Sequence, residues 1–110
     1  MANLFHREKN QILKNTFLKE KLTVHEGVYI GVIGPVFETP AEIAFYNKIG
    51  AQAVGMSTVP EVISAAQVGI KVLGLLIITN MAAGMSDEPL SDEDVALQAQ
   101  KALDRLCFLI

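Results

Sequence analysis

Three short, mostly apolar runs limit what this chain can fold into more strongly than any other feature of its sequence. They occupy residues 28–33, 51–55 and 71–78, and the first is almost entirely apolar and rich in β-branched side chains. Such a run is typical of a strand that is covered on both faces, as the strands of parallel sheets are. Because helix-length segments separate the runs, the sequence predicts an α/β fold with a mainly parallel sheet and right-handed crossovers.

Start signals mark the helices between these strands. Thr39 can accept a hydrogen bond from the backbone at the third helical position, while Pro40 suits the first. Glu42 can reach back to the Thr39 amide, and the helix is predicted to end at Gly50. The same reasoning predicts a helix capped by Thr58 and ending at Gly69, and a final one capped by Ser91. A further helix over residues 8–21 is predicted from its composition and from apolar residues that recur four positions apart.

Composition narrows the class of protein. The 110 residues are 51% apolar and 19% charged, with a net charge of −3, which is typical of one globular domain. No apolar run reaches the ~20 residues of a membrane span, and the N-terminal residues lack a signal-peptide pattern. Cys107, the only cysteine, cannot form an internal disulfide, so we expect a reducing compartment, the cytoplasm. The basic residues near the N-terminus are spread out, which favours a solvated helix over nucleic-acid binding.

Polar side chains follow each predicted strand. Because ligands of parallel α/β sheets bind at the carboxyl ends of the strands, these side chains are candidate site residues. They lie in the pairs Phe37-Glu38, Met56-Ser57 and Thr79-Asn80. Packing offers another interpretation of Phe37 and Met56, and local backbone structure offers one for Ser57, Thr79 and Asn80. The sequence has no cluster of residues with metal-ligand spacing, so no metal site is predicted.

Three segments closely resemble the trimeric purine nucleoside phosphorylases: residues 34–42 (GPVFETPAE), 50–61 (GAQAVGMSTVPE) and 78–84 (ITNMAAG). The resemblance runs from about Glu26 to Val95 and covers the C-terminal portion of that family. It implies a three-layer α/β/α nucleoside phosphorylase fold. The chain would then be one partial domain over residues 1–110, with a helical segment at 1–25, a family-like core at 26–95 and a C-terminal helix at 96–110.

The resemblance also implies an activity. Members of the family cleave a purine nucleoside with inorganic phosphate, giving the free base and ribose 1-phosphate, in purine salvage. They are homotrimers and use no cofactor, and phosphate is the co-substrate. An asparagine at the position of Asn80 implies the inosine and guanosine type.

Residue roles follow from the matched positions. Asn80 would bond the N7 and O6 edge of the purine, and Glu38 would accept a hydrogen bond from its N1–H side. As the glycosidic bond breaks, negative charge moves onto the purine, so a donor such as Asn80 would stabilise the transition state. The remaining matches are Phe37 beside the purine, Met56 under the ribose, Thr79 lining the base pocket and Ser57 contacting phosphate.

Two features depart from the family. Asp92 stands where the family often has a histidine near the sugar 5′-hydroxyl; it could accept from that hydroxyl or only stabilise the helix N-terminus. The family's phosphate loop, with its arginine and histidine contacts, lies in an N-terminal half that this chain lacks. Unguarded sheet edges and an apolar end at residues 107–110 also indicate a larger fold. The alternatives are a catalytically silent domain that binds purine or associates with another chain through those edges, and a fragment without a function of its own.

Overall fold

The computed structural model describes residues 4–86 and 92–106, which form helices and a small parallel sheet. Helices and strands alternate through most of the chain, which confirms the predicted α/β class. The elements are α1 (Arg7–Lys19), β1 (Tyr29–Gly31), α2 (Pro40–Lys48), β2 (Ala53–Gly55), α3 (Thr58–Gln67) and α4 (Asp92–Leu106).

Two compact units divide the chain. Among the described residues, unit 1 comprises those up to Ile33 together with Gln52–Leu75, and unit 2 comprises Gly34–Ala51 together with those from Leu76 onward. Unit 1 therefore contains the sheet, α1 and α3, whereas unit 2 contains α2 and α4. The division into segments 1–25, 26–95 and 96–110 stays a prediction.

The sheet of unit 1 is a parallel pair. Ile30 of β1 lies opposite Val54 of β2, and backbone hydrogen bonds continue the pairing on both sides. The Gln52 N–H donates to the Val28 carbonyl at 2.8 Å, and the Val32 N–H donates to the Gly55 carbonyl at 3.0 Å. Helix α3 packs against β1, and Val62 is its buried residue. The first two predicted strands are thus confirmed, although each is shorter than its apolar run.

The third predicted strand, residues 71–78, is wrong as an extended strand within the described residues. Only Val72 pairs, in an isolated parallel bridge with Phe5, and its carbonyl accepts from the His6 N–H at 2.9 Å. A β-strand needs a neighbouring backbone to pair with. Among the described residues, β1 and β2 pair with each other, and the third run finds a partner only at Phe5. Beyond Val72, Gly74 faces the Phe5 ring, and the run then passes into unit 2.

Helix α1 confirms the predicted N-terminal helix with slightly different ends. The His6 side chain caps it by accepting from the Lys9 N–H at 3.4 Å, and Phe17 is its buried residue. Lys14 of α1 forms an ion pair with Glu26 at 2.9 Å, which ties the helix to the segment that leads into β1. Both partners are partly exposed, so the pair contributes little stability.

Helix α2 of unit 2 follows the sequence prediction closely. Thr39 is its N-cap and Pro40 its first residue, and the chain leaves the helix at Gly50 with a φ of +95°. That left-handed conformation suits glycine because it has no Cβ. Ile43 is the buried residue of this helix.

The start of α3 corrects a prediction. Thr58 is the first residue inside the helix, and Ser57 occupies the N-cap position without a side-chain capping bond. The backbone of Ser57 is already helical, at φ −114° and ψ −45°, whereas a capping side chain needs an extended backbone. The predicted end of α3 near Gly69 is confirmed, since the helix ends at Gln67 and Gly69 has a φ of +78°. The predicted cap Ser91 lies outside the described residues.

Few large apolar side chains are buried among the described residues. Phe17, Ile43 and Val62 are the buried ones, whereas Ile33 is 98% exposed and Val36 is 77% exposed. Single exposed apolar side chains are ordinary, but here the large apolar side chains that are exposed outnumber those that are buried. Much apolar surface is therefore open to a covering partner. No helix in the described ranges is both long enough and apolar enough to span a bilayer.

Candidate active site

The predicted site residues fall in both units. Unit 2 contains Phe37 and Glu38 ahead of α2, Thr79 and Asn80 in the loop after the third apolar run, and Asp92 at the first position of α4. Unit 1 contains Met56 and Ser57 between β2 and α3. Each of the two groups of site residues thus lies within a single unit.

A capping box fixes the chain immediately after Phe37 and Glu38. The Glu42 carboxylate accepts from the Thr39 N–H and from the Thr39 hydroxyl, both at 2.7 Å, while the Glu42 N–H donates to Thr39 Oγ1 at 3.3 Å. These hydrogen bonds, first from the Thr39 backbone and then from its hydroxyl, lower the pKa of Glu42 below its ordinary value. Glu42 is thus engaged by the helix start, which makes Glu38 the carboxylate of this segment that is open to a ligand.

Glu38 and Phe37 differ in their surroundings. Glu38 is half-buried and makes no hydrogen bond or ion pair to the other described residues. Phe37 is 50% exposed, which argues against an ordinary core role for its ring. The unengaged carboxylate can accept a hydrogen bond from a planar ligand, and the accessible aromatic ring can pack on the face of that ligand.

The loop that carries Asn80 contacts the start of α2. Gly84 has a φ of +76°, and a Cβ placed on it would lie 2.8 Å from Pro40 Cβ. Only a glycine permits both this conformation and this approach. Within unit 2, the close packing therefore brings the loop of residues 79–84 against the segment that follows Glu38.

Two hydrogen bonds determine how Asn80 presents its amide. The Asn80 Nδ2 donates to the Met81 carbonyl at 3.0 Å, and the Thr79 hydroxyl donates to Asn80 Oδ1 at 2.6 Å. Because a carbonyl can only accept, the amide atom that faces Met81 must be the nitrogen. The oxygen therefore faces Thr79, and one N–H of Asn80 is left for a ligand.

Met56 and Ser57 form the contribution of unit 1. Met56 is partly buried, while Ser57 is exposed and its hydroxyl makes no bond to the helix that it precedes. The first backbone N–H groups of a helix have no partner within the helix and attract anions. Ser57 thus places a hydroxyl donor next to a helix N-terminus, which is a suitable arrangement for an anionic group.

Two other observations bear on the predicted set. Asp92 begins α4, as its predicted position near a helix start requires, but its side chain lies outside the described part of the chain. The sequence did not point to the Met81 carbonyl, because the position of a backbone oxygen depends on the path of the chain and not on the residue type. Over the described residues, no group of three or more histidine, cysteine or acidic side chains is arranged to hold a metal ion.

Comparisons with known proteins place the chain in a family. Residues 2–110 match the family model of the Phosphorylase superfamily. The purine nucleoside phosphorylase 1 of Geobacillus stearothermophilus is 45% identical over 101 residues, which are 92% of this chain and 37% of that protein. A probable 6-oxopurine nucleoside phosphorylase of Moorella thermoacetica is 45% identical over 89 residues, which are 80% of this chain and 34% of that protein.

A solved structure gives the corresponding match in three dimensions. It is the Schistosoma mansoni purine nucleoside phosphorylase in complex with inosine, with a TM-score of 0.85 and 34% identity. The match covers 97% of this chain and 40% of that one, and it confirms the predicted nucleoside phosphorylase fold. This chain thus spans between about a third and two fifths of the length of these relatives. By its sequence and its fold, the chain belongs to the phosphorylase superfamily.

Proposed function

We propose that this chain supplies the base- and ribose-contacting part of a purine nucleoside phosphorylase that acts on inosine and guanosine. The reaction is cleavage of the glycosidic bond by inorganic phosphate, which gives the free purine and ribose 1-phosphate. The names of the relatives support the reaction class, and the complex of one of them with inosine supports the substrate class.

The observation that carries the proposal is the fixed amide of Asn80. Its remaining N–H is a donor, and a 6-oxopurine offers acceptors at O6 and N7. As the glycosidic bond breaks, the purine gains negative charge, so a donor that is already oriented stabilises the transition state without reorganising. The Thr79 hydroxyl and the Met81 carbonyl supply that orientation.

The other site residues complete the contacts. Glu38 accepts from the N1–H side of the base, and Phe37 lies beside the purine ring. Met56 packs under the ribose, while the Ser57 hydroxyl donates to phosphate next to the α3 N-terminus. Asp92 accepts from the 5′-hydroxyl of the sugar. Thr79 has two roles in this scheme, lining the base pocket and orienting Asn80.

The wider setting follows the family. The reaction uses phosphate as co-substrate and no cofactor, and the assembled enzyme is a homotrimer in the cytoplasm, without a nucleic-acid or membrane partner. Exposed apolar side chains such as Ile33 and Val36 support association with further protein surface. They equally fit the second candidate, a silent purine-binding domain that associates with another chain carrying the phosphate contacts.

Two assays on the purified 110-residue chain test the proposal: phosphate-dependent cleavage of inosine, and calorimetric binding of hypoxanthine. Asn80→Ala is the test variant. Its matched control is Asn47→Ala, the same change at an exposed position of α2. We expect cleavage and binding in the wild type and in Asn47→Ala, and loss of both in Asn80→Ala. Binding without cleavage would select the silent domain. If the wild-type chain neither cleaves inosine nor binds hypoxanthine, a function for the chain alone is rejected.

A further inference from the structure

The last residue of β2 is held on several sides within unit 1. Gly55 pairs with Gly31 across the sheet, and its carbonyl accepts from the Val32 N–H at 3.0 Å. A Cβ placed on Gly55 would lie 2.5 Å from Tyr29 Oη and 3.2 Å from Tyr29 Cζ. The phenol of Tyr29 therefore covers the Cα of Gly55 so closely that only glycine fits there without displacing the ring.

A second close contact holds the beginning of α3. Val59 is the second residue of that helix, and it packs on Gly31 of β1. A Cβ on Gly31 would lie 2.5 Å from Val59 Cγ2 and 2.8 Å from Val59 Cβ. The start of the helix thus meets the backbone of β1 directly, again at a position where a side chain would not fit.

These two contacts bracket a three-residue corner, residues 56–58. We propose that Tyr29 is a positioning residue: by packing on Gly55 it sets one end of the corner, as Val59 on Gly31 sets the other, and so places Met56 and Ser57 for ribose and phosphate. The inference rests on the proposed function for the roles of these two residues. It adds a residue in β1 whose role is exerted through Gly55 and not through a substrate contact.

The physical need for such a residue comes from Ser57. Its hydroxyl makes no capping bond, so α3 does not hold this side chain through its own N-terminus. A displacement of about 1 Å at a reacting or contacting group can reduce a rate by ~10²-fold. The Tyr29 hydroxyl makes no hydrogen bond to another described residue, so this side chain acts through the shape and rigidity of its ring.

The test is a steric rescue between two positions. Gly55→Ala places a methyl group against the Tyr29 hydroxyl, and Tyr29→Phe removes that hydroxyl, so the double variant relieves the shortest contact. Gly27→Ala is the matched control, because its new methyl group would meet the Gln52 side chain, 2.9 Å from Oε1 and 3.3 Å from Cβ, at the end of the strand pair opposite to Gly55. If Gly55→Ala does not fold, Tyr29→Ala replaces it, since removing the ring also frees the corner.

Two readouts separate this inference from the proposed function. Amide NMR of the free chain needs no activity: Gly55→Ala should shift the resonances of residues 56–58 and speed exchange of the Val32 amide by about tenfold. The double variant should restore both, and Gly27→Ala should leave both unchanged. In the cleavage assay, Gly55→Ala should raise the phosphate KM by about tenfold, again with rescue.

The outcomes are distinct. Unaltered corner resonances and Val32 exchange in Gly55→Ala, or a double variant as perturbed as the single one, would overturn the positioning role. A wild-type chain that neither cleaves inosine nor binds hypoxanthine would reject the proposed function, while the NMR comparison would still decide whether Tyr29 holds the corner.

Discussion

The loop at residues 79–81 and the corner at residues 56–58 hold their polar groups in different ways. In the loop, side-chain hydrogen bonds on both sides of the Asn80 amide fix which end donates and which end accepts. In the corner, the backbone is held by close packing at Gly55 and Gly31, and the Ser57 hydroxyl makes no bond to its own helix.

The difference matches the ligands that we propose for the two regions. A purine edge carries donors and acceptors in a fixed order, so a group that recognises it must present one defined end. Phosphate offers acceptor oxygens in several directions, and a hydroxyl can rotate to meet one of them. Orientation is therefore needed in the loop, whereas position alone is sufficient in the corner.

The largest effect is expected from Asn80→Ala. Removing one preorganised transition-state donor should lower kcat/KM for inosine by ~10²–10³-fold. The fold should be retained, because the side chain bonds only to neighbouring residues. Steady-state kinetics and circular dichroism check both points. Wild-type turnover in this variant would show that the loop does not contact the base.

Asn80→Asp tests the direction of the amide. A carboxylate cannot donate to O6 of guanosine, whereas it can accept from a 6-amino group. The ratio of kcat/KM for guanosine to that for adenosine should therefore fall by at least about tenfold, because a site that leaves a polar group unpaired discriminates strongly. An unchanged ratio would contradict the assignment of Asn80 to the base edge.

Thr79→Val removes the hydroxyl that holds Asn80 Oδ1 while preserving the shape of the side chain. Loss of a part-buried hydrogen bond costs roughly 1–1.5 kcal/mol, which corresponds to about a tenfold lower kcat/KM for inosine. Discrimination against adenosine should also weaken, because the amide can now turn. Thr23→Val, the same change at an exposed position, is the control and should change neither quantity.

Ser57→Ala should act on phosphate alone. We expect the phosphate KM to rise about fivefold, as the loss of a hydrogen bond worth about 1 kcal/mol implies, with the inosine KM unchanged. Ser64→Ala is the control from the same helix, because the Ser64 hydroxyl donates to the Pro60 carbonyl and faces no proposed ligand. An equal effect on inosine and phosphate would mean that the corner acts as a whole and not through its hydroxyl.

The smallest effect concerns stability and not activity. Because the folded-state pKa of Glu42 lies below its ordinary value of 4.5, its ionised form stabilises the folded chain. That contribution is complete above pH 4.5 and is lost as the pH falls through the lowered folded-state pKa. Thermal unfolding of wild type and Glu42→Gln should therefore converge as the pH is lowered below 4.5. A Tm difference that does not depend on pH would contradict the capping role of the carboxylate.

Local features of this chain could be predicted from the sequence, and features that depend on distant partners could not. The capping box of α2 involves only Thr39, Pro40 and Glu42, so its pattern was sufficient to find it. The run at residues 71–78 has the composition of a strand, but pairing depends on which other backbone lies beside it. Within the site, residue type indicated Asn80, while its orientation required the positions of the Thr79 hydroxyl and the Met81 carbonyl.

The contact between Gly84 and Pro40 has a consequence for how this sequence can vary. The two positions lie far apart in the chain, yet a larger residue at 84 needs space that a smaller residue at 40 could give only by changing the first turn of α2. Random substitution should therefore find single changes at position 84 strongly depleted and the neighbouring loop positions more permissive. A change at position 40 could relieve the contact but not the left-handed backbone at position 84, so glycine should persist there whichever residue occupies position 40.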